Sequence, residues 1–179
     1  MYELLRDNYV EDSEHTFRFD YPVDFLRWAL LIPDYHPEWH VGVRVSKTKK
    51  LYGFISGIPV KLVVNNQTVK MAEINYLCVH KKLREKRLAP VLIKEITRRV
   101  NLTNVWQALY TAGAVIPTPL TTTTYFHRSI NTKKLVEVGF NSLPIDTPMA
   151  RYIKMHKLPT ESDISIIGTP RPMTSKDIS

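Results

Sequence analysis

One stretch sets what this chain can fold into. Residues 71–100, MAEINYLCVHKKLREKRLAPVLIKEITRRV, pass from strand-like alternation through a basic turn into an amphipathic helix. Met71, Glu73, Asn75 and Leu77 alternate with Ala72, Ile74, Tyr76 and Cys78, and the second set is the more apolar. That is the period-2 pattern of a strand. Leu88, Val91, Leu92, Ile96 and Val100 then make an inward stripe at helical spacing and leave Lys94, Arg98 and Arg99 toward solvent. A helix start between Arg87 and Pro90 is expected, since proline is tolerated in a first turn. A strand, a cationic turn and a helix N-terminus in succession form a natural cradle for phosphates. The same residues also suit a solvated charge run opening a surface helix, and composition does not choose between the two.

The flanking sequence says what this stretch packs with. Residues 2–9 suit a short helix with Leu4, Leu5 and Tyr9 inward, and an acidic loop then enters a short strand at Phe17 and Phe19. Asp24 can cap a helix holding Phe25, Leu26, Trp28, Ala29 and Leu30, which Pro33 ends. Trp39 to Val45 alternates as a strand. LYGFISGIPVKLVV reads as a second strand bent or bulged near Gly57-Ile58-Pro59, and Asn65-Asn66 is a hairpin signal returning the chain into residues 68–78. After the helix, Val105 to Tyr110 reads as a further strand, and strand, crossover helix, strand implies a parallel pairing. The expected fold is therefore α/β (α+β), with a mixed, mainly antiparallel central sheet flanked by helices. Beyond it, one of Thr121 to Thr124 would cap a short helix containing Tyr125, Phe126 and Ile130. Asn131 would cap another turn, and Val136 to Phe140 would form a strand. Periodicity is lost after Asp146, and residues 159–179 read as a linker or tail.

Length and charge narrow the function classes. A chain of 179 residues suits one domain with a substantial core. The lone cysteine, Cys78, allows no internal disulfide and fits a reducing compartment, and no apolar run is long enough for a transmembrane span. A cytoplasmic protein is expected. The net charge of +8 points to an anionic partner, and it is unevenly spread. Lys81, Lys82, Arg84, Lys86 and Arg87 crowd the turn, whereas Glu3, Asp7, Glu11, Asp12, Glu14, Asp20 and Asp24 dominate the first 25 residues. One district suits an anion and the other a cation. Cys78 and His80 share a strand face but lack a second ligand pair, so no metal is expected. The aromatics follow apolar patterns more than they interleave with lysines, and no nucleic acid is expected. Serine-hydrolase elbows, zinc-protease helices and lysine-bearing phosphate loops are absent from the sequence.

The run EINYLCVHKKLREKRLAPVLIKEITRRV closely resembles the signature region of eukaryotic protein N-myristoyltransferases (glycylpeptide N-tetradecanoyltransferases). So do YELLRDNYVEDSEHTFRFDYP, LYGFISGIP, YTAG, YFHRS and LPTES…RPMTSKDI, in the family's order across nearly the whole chain. The resemblance implies an acetyltransferase-like (GNAT) domain over residues 1–158, with residues 159–179 leading toward a second, related domain. In such folds the coenzyme A pyrophosphate rests on an Arg/Gln-x-x-Gly-x-Gly/Ala loop. Arg84, Arg87 and Ala89 fill its landmarks, with arginine in place of the middle glycine. The contacts implied are from His80, Lys81, Arg84, Glu85, Lys86, Arg87, Leu88, Ala89 and Pro90. Glu85 departs from the serine commonly found there, and its backbone N–H remains suited to the role.

The reaction implied is acyl transfer from myristoyl-CoA to the N-terminal glycine amine of a protein. Charge develops on the thioester oxygen and needs preorganised donors. By resemblance these are the backbone N–H groups of Tyr76 and Leu77, at a bulge in the central strand, with tyrosine where the family usually has phenylalanine. Asn75 and Thr111 resemble the polar residues that guide the amine. Tyr9, Val10, Glu11, Asp12, Phe17, Phe19 and Tyr21 resemble one wall of the peptide groove, together with Tyr125 and His127. The family's general base is a carboxylate at the extreme C-terminus of its second domain, which nothing in these 179 residues matches. The expectation is a chain that alone binds acyl-CoA weakly, if at all, and is poorly active or inactive; the alternative is a non-catalytic acyl-CoA-binding fragment or short relative lacking the C-terminal carboxylate base.

Overall fold

A computed structural model describes residues 1–12, 15, 17–113, 116–160 and 171–177. They fall into two compact units, Met1–Leu120 and Thr121–Ser179, each described by itself. The boundary expected after residue 158 lies within the second, and much of the expected tail lies outside the described residues, as does Glu14 of the acidic loop.

The first unit is a four-stranded sheet in the order β1-β2-β3-β4. Its strands are β1 (His40–Arg44), β2 (Leu51–Val64), β3 (Gln67–Val79) and β4 (Ala108–Tyr110). The first three pair antiparallel, and β4 lies parallel to β3 through Ala72↔Ala108, Glu73↔Leu109 and Ile74↔Tyr110. The mixed sheet expected from the sequence is therefore present. Asn65 and Asn66 both take positive φ (48° and 63°), the backbone that a tight β2–β3 hairpin needs to follow the strand twist. The last strand is shorter than the alternation suggested, because pairing begins only at Ala108.

Helix α3 (Leu88–Asn101) covers one face, and α1 (Tyr2–Asn8) and α2 (Val23–Leu30) pack with the other core cluster. Trp39, Val41, Ile55, Ala72, Leu92, Ile96 and Val100 form the cluster under α3. Leu4, Leu5, Leu26, Leu30, Phe54, Tyr76 and Cys78 form the other. A Cβ at Gly53 would sit 3.2 Å from both Leu88 Cδ2 and Leu92 Cδ1, so glycine is what lets α3 lie this close to β2. Val91, placed on the inward stripe by its spacing, is instead 57% exposed. Asp24 does not cap α2; Pro22 occupies that position, and Asp24 pairs weakly with Arg27 on the surface at 3.5 Å.

The register holds the main departure from simple alternation. Phe54 faces Cys78 and Ser56 faces Asn75, so Ile55 alone spans both Tyr76 and Leu77. The bulge is thus on β3 at Tyr76–Leu77, as the resemblance implied, while the pairing of β2 runs unbroken through Gly57-Ile58-Pro59, where glycine and proline had suggested a bend or bulge. The extra residue shifts the alternation by one. Ala72 and Ile74 belong to the α3 cluster, Tyr76 and Cys78 to the α1–α2 cluster, and Leu77 and Val79 again to the α3 cluster. One apolar set read from the sequence is therefore divided between two faces.

In the second unit, α4 (Thr132–Glu137) is capped as expected: the Lys134 N–H donates to Asn131 Oδ1 at 3.0 Å. The expected helix around Tyr125 and Phe126 is not formed, and the expected strand at Val136–Phe140 is replaced by the end of α4 and a turn. A further helix, α5 (Met149–Met155), occupies sequence whose periodicity was too short to read. Arg128 ties the end of α5 to its own segment by donating to the Lys157 carbonyl at 2.9 Å.

The face assignment of α3 has a direct test. Ile96→Ala should cost about 2–5 kcal/mol of stability, as a fully buried aliphatic truncation does, and Val91→Ala less than about 0.5 kcal/mol. Urea unfolding followed by circular dichroism would compare them.

Candidate active site

The bulge holds Tyr76 at φ 55°, a left-handed conformation that is unusual for an aromatic residue. Packing supports it. The Tyr76 ring is 6% exposed, edge-on to Tyr21 at 5.6 Å and tilted against Tyr9 at 6.0 Å. Phe19 stacks on Tyr21 at 5.5 Å, and Tyr21 on Phe25 at 5.2 Å. Burial pushes the Tyr9 phenol up to about 12, with Tyr21, Tyr76 and Tyr110 adding to the effect and the Tyr76 backbone amide opposing it. These rings stay neutral at physiological pH and form an apolar, hydroxyl-bearing wall.

Beside the bulge, Ser56 Oγ donates to the Asn75 carbonyl at 2.9 Å, fixing the backbone where the register shifts. The Tyr76 N–H donates to Asn75 Oδ1 at 2.9 Å, and the Tyr9 hydroxyl reaches the same oxygen at 3.5 Å. Thr111 follows directly on Tyr110, whose partner is Ile74, so one more step of the parallel register would bring Thr111 beside Asn75. The pairing ends before that step, and Thr111 is exposed.

The basic turn is one irregular helical segment, Lys81–Lys86, closed by Arg87 at φ 51°. Arg87 is also the residue preceding α3, and no side chain caps that helix. The middle landmark of the expected loop is therefore left-handed here, and no side chain caps the first N–H groups of α3. Tyr52 stacks on His80 at 4.5 Å, while His80 Nδ1 accepts from the Lys82 N–H at 3.2 Å. Glu85, Lys86, Arg87 and Pro90 are exposed, and Leu88 and Ala89 are half-buried.

Asn8, which sequence reasoning passed over, joins the N-terminal arm to this turn. Its side chain accepts from the Lys81 N–H at 3.0 Å and its carbonyl accepts from Arg84 Nη2 at 2.8 Å. The signal was a polar residue on the inward side of α1 beside Leu4 and Leu5, where it is buried. Ser56 was a comparable signal, a buried hydroxyl inside an apolar run. Glu11 makes a second tie: Arg18 Nη2 lies 2.8 Å and Lys81 Nζ 3.1 Å from Glu11 Oε2. Glu11 also pairs in an isolated bridge with Arg18, and the Phe17 N–H donates to Asp12 Oδ1 at 2.6 Å.

A pocket of about 270 Å³ collects residues from all three expected groups. Its lining is Asn8, Tyr9 and Val10 from the arm, Leu77, Cys78 and Val79 from β3, and Arg84 and Ala89 from the turn. Cys78 is buried, its Sγ 3.8 Å from the Leu4 carbonyl, and burial pushes its thiol up to about 11 with Arg84 partly opposing. It is a packing residue, not a nucleophile. Tyr125 and His127 lie in the second unit, both exposed, with the His127 ring edge-on to Phe140 at 6.0 Å. No three histidine, cysteine or acidic side chains gather into a metal-binding group among the described residues. No helix among them is long and apolar enough to cross a membrane.

The left-handed bulge, the cationic turn and the uncapped start of α3 thus meet at one pocket, which Leu77, Arg84 and Ala89 line together. Residues 1–123 match the family described as Myristoyl-CoA:protein N-myristoyltransferase, N-terminal domain, and the chain belongs to that family. It is 57% identical over 178 residues to glycylpeptide N-tetradecanoyltransferase 1 of Arabidopsis thaliana, covering 99% of this chain and 40% of that protein. Against the Plasmodium falciparum enzyme of the same name the identity is 55%, with 99% and 43% covered. The fold matches the crystal structure of Saccharomyces cerevisiae N-myristoyltransferase with bound myristoyl-CoA at TM-score 0.85 and 50% identity, covering 99% of this chain and 41% of that one. The chain spans about 40% of the length of these relatives.

Two measurements test the site's electrostatics. Hydrogen bonds from Arg18 and then Lys81 hold the Glu11 carboxyl down to about 2 from its ordinary 4.5. Because the folded value is depressed, this stabilisation is complete above about pH 4.5 and is lost as pH falls toward 2. Glu11→Gln should therefore lower the unfolding midpoint at pH 7, and the difference from the parent chain should vanish in urea melts near pH 2. Cys78 should react with iodoacetamide at pH 8 roughly hundredfold more slowly in the folded chain than in urea, following its suppressed thiolate.

Proposed function

We propose that this chain carries the acyl-CoA-binding and oxyanion-stabilising half of an N-myristoyltransferase. It would move myristate from myristoyl-CoA to the glycine amine at the N-terminus of a protein. The observation that carries the reading is one pocket joining Leu77 of the bulge, Arg84 and Ala89 of the turn, and Tyr9 and Val10 of the arm. The co-substrate supplies an activated thioester, and the protein's part is to hold and polarise it.

Each expected group has chemistry suited to its part. The N–H groups at Leu88 and Ala89, with Arg84, Lys86 and Arg87 around them, suit a pyrophosphate. The Tyr76 and Leu77 amides suit the oxygen on which charge gathers as the amine nitrogen attacks the thioester carbon. The C–S bond then breaks, the amine proton passes to a base, and the departing sulfur takes up that proton so that coenzyme A leaves as the thiol. Removing one such donor typically costs ~10²–10³ in rate. Asn75 and Thr111 would orient the amine, and the aromatic wall from Tyr9 to Phe19 would hold the peptide. Residues 1–158 would form the acyl-CoA-binding domain and 159–179 the path to a second domain, which would supply the carboxylate base and the rest of the groove. The buried free thiol of Cys78 suits a cytoplasmic setting.

Calorimetry with myristoyl-CoA, followed by an acylation assay on a peptide starting with glycine, decides between this reading and binding alone. Saturable binding with transfer is expected for the enzyme; binding without transfer is the outcome for a non-catalytic acyl-CoA-binding chain, and absence of binding rejects both. Arg87→Gly should weaken binding roughly tenfold while changing stability by no more than about 1 kcal/mol, since glycine accepts the left-handed backbone. Thr111→Val should reduce transfer more than it reduces binding.

A further inference from the structure

We propose that the Asn75 side chain is a built-in stand-in for the acyl oxygen: its amide oxygen holds the Tyr76 N–H until a thioester carbonyl displaces it. This rests on the oxyanion reading of Tyr76 given above. The donor is not idle, since Tyr76 N–H lies 2.9 Å from Asn75 Oδ1. The oxygen that occupies it is a neutral carbonyl, chemically close to what a thioester would present.

The surroundings decide which partner can move. Ser56 Oγ anchors the Asn75 backbone at 2.9 Å, and the buried Tyr76 ring, locked against Tyr9 and Tyr21, fixes the left-handed backbone that aims the N–H. The donor is therefore rigid and the Asn75 side chain is the adjustable part. Its other contact, the Tyr9 hydroxyl at 3.5 Å, is long and weak.

This arrangement discriminates between ground and transition states. An amide oxygen is a better acceptor than a ground-state thioester oxygen, so exchange of one for the other gains little on binding. An oxygen carrying developing negative charge is a much better acceptor than the amide, so the exchange becomes favourable as the reaction proceeds. Once released, Oδ1 can accept from the incoming amine, one residue from the donor it has vacated. Asn75 is in this sense a positioning residue as well as a guide.

Amide exchange measured by NMR on the ¹⁵N-labelled 179-residue chain tests this without requiring turnover. In the free chain, Tyr76 N–H should exchange roughly tenfold faster in Asn75→Ala than in the parent, while Asn75→Asp, which keeps an acceptor, should restore protection. The probe ligand is a non-transferable 2-oxoalkyl thioether of coenzyme A. It should re-protect Tyr76 in Asn75→Ala, shift the Asn75 side-chain amide resonances in the parent, and bind Asn75→Ala at least as tightly as the parent. Asn75→Asp, whose charged oxygen holds the donor more firmly, should bind it roughly tenfold more weakly. Unchanged Tyr76 exchange in Asn75→Ala, in a chain that binds the probe, overturns the stand-in alone. Failure of the parent chain to bind the probe overturns it together with the acyl-CoA reading.

Discussion

The extra residue in β3 is the constraint on which the rest of the first unit depends. A sheet with helices packed on both faces needs apolar residues on both, and a strictly alternating β3 would place Ala72, Ile74, Tyr76 and Cys78 all on one. The slip at Tyr76–Leu77 sends the first two under α3 and the last two toward α1 and α2. The left-handed backbone at Tyr76 costs about 1–2 kcal/mol. Burying one aromatic ring contributes about 1.5–3 kcal/mol, and each well-placed aromatic pair about 0.5–1.5 kcal/mol more. Burial outweighs strain, and the strained amide is held in a fixed direction by the core itself.

The second ordering influence is electrostatic and joins the two ends of the site. Asn8 and Glu11, both from the acidic first segment, reach Lys81 and Arg84 of the basic turn. The charge asymmetry in the sequence is thus partly an internal contact and not only a pair of ligand-facing districts. Glu11 serves mainly as a nearly buried counter-ion to Arg18 and Lys81, its side chain 8% exposed, and Arg84, which lines the pocket, is already positioned by the Asn8 carbonyl. Restrained cations lose less side-chain freedom when an anion arrives than lysines and arginines on an open surface do.

Much of this was legible in the residues. The meander, the crossover helix and the parallel fourth strand follow from alternation, turn residues and the stripe on α3. What periodicity could not show is where it breaks. Glycine and proline at 57–59 suggested a bend or bulge in β2, yet the break sits at an aromatic residue on β3, where nothing in local propensity announces a positive φ. Val91 misled for a similar reason, since apolar spacing cannot say how far round α3 the sheet extends. Asn8 and Ser56 were readable only as polar residues in inward positions, because their partners lie far off in sequence. In the second unit, helices of six and seven residues are too short for a periodic pattern to distinguish them from loop.

Tyr76 and Arg87 connect these points. Both are bulky residues in left-handed backbone, and they bracket the segment from the bulge to the start of α3. Glycine would take either conformation without strain, but it would give up what the side chains contribute: a buried ring that aims one amide, and a guanidinium beside the uncapped N–H groups of α3. At Tyr76 the core compensates for the strain. Arg87 is exposed and has no comparable burial to offset it. Lys49 is likewise exposed and left-handed at φ 59°, so what sets Arg87 apart is its place directly before the uncapped start of α3. The anion-binding reading of the turn rests on that uncapped helix start as much as on the number of its charges.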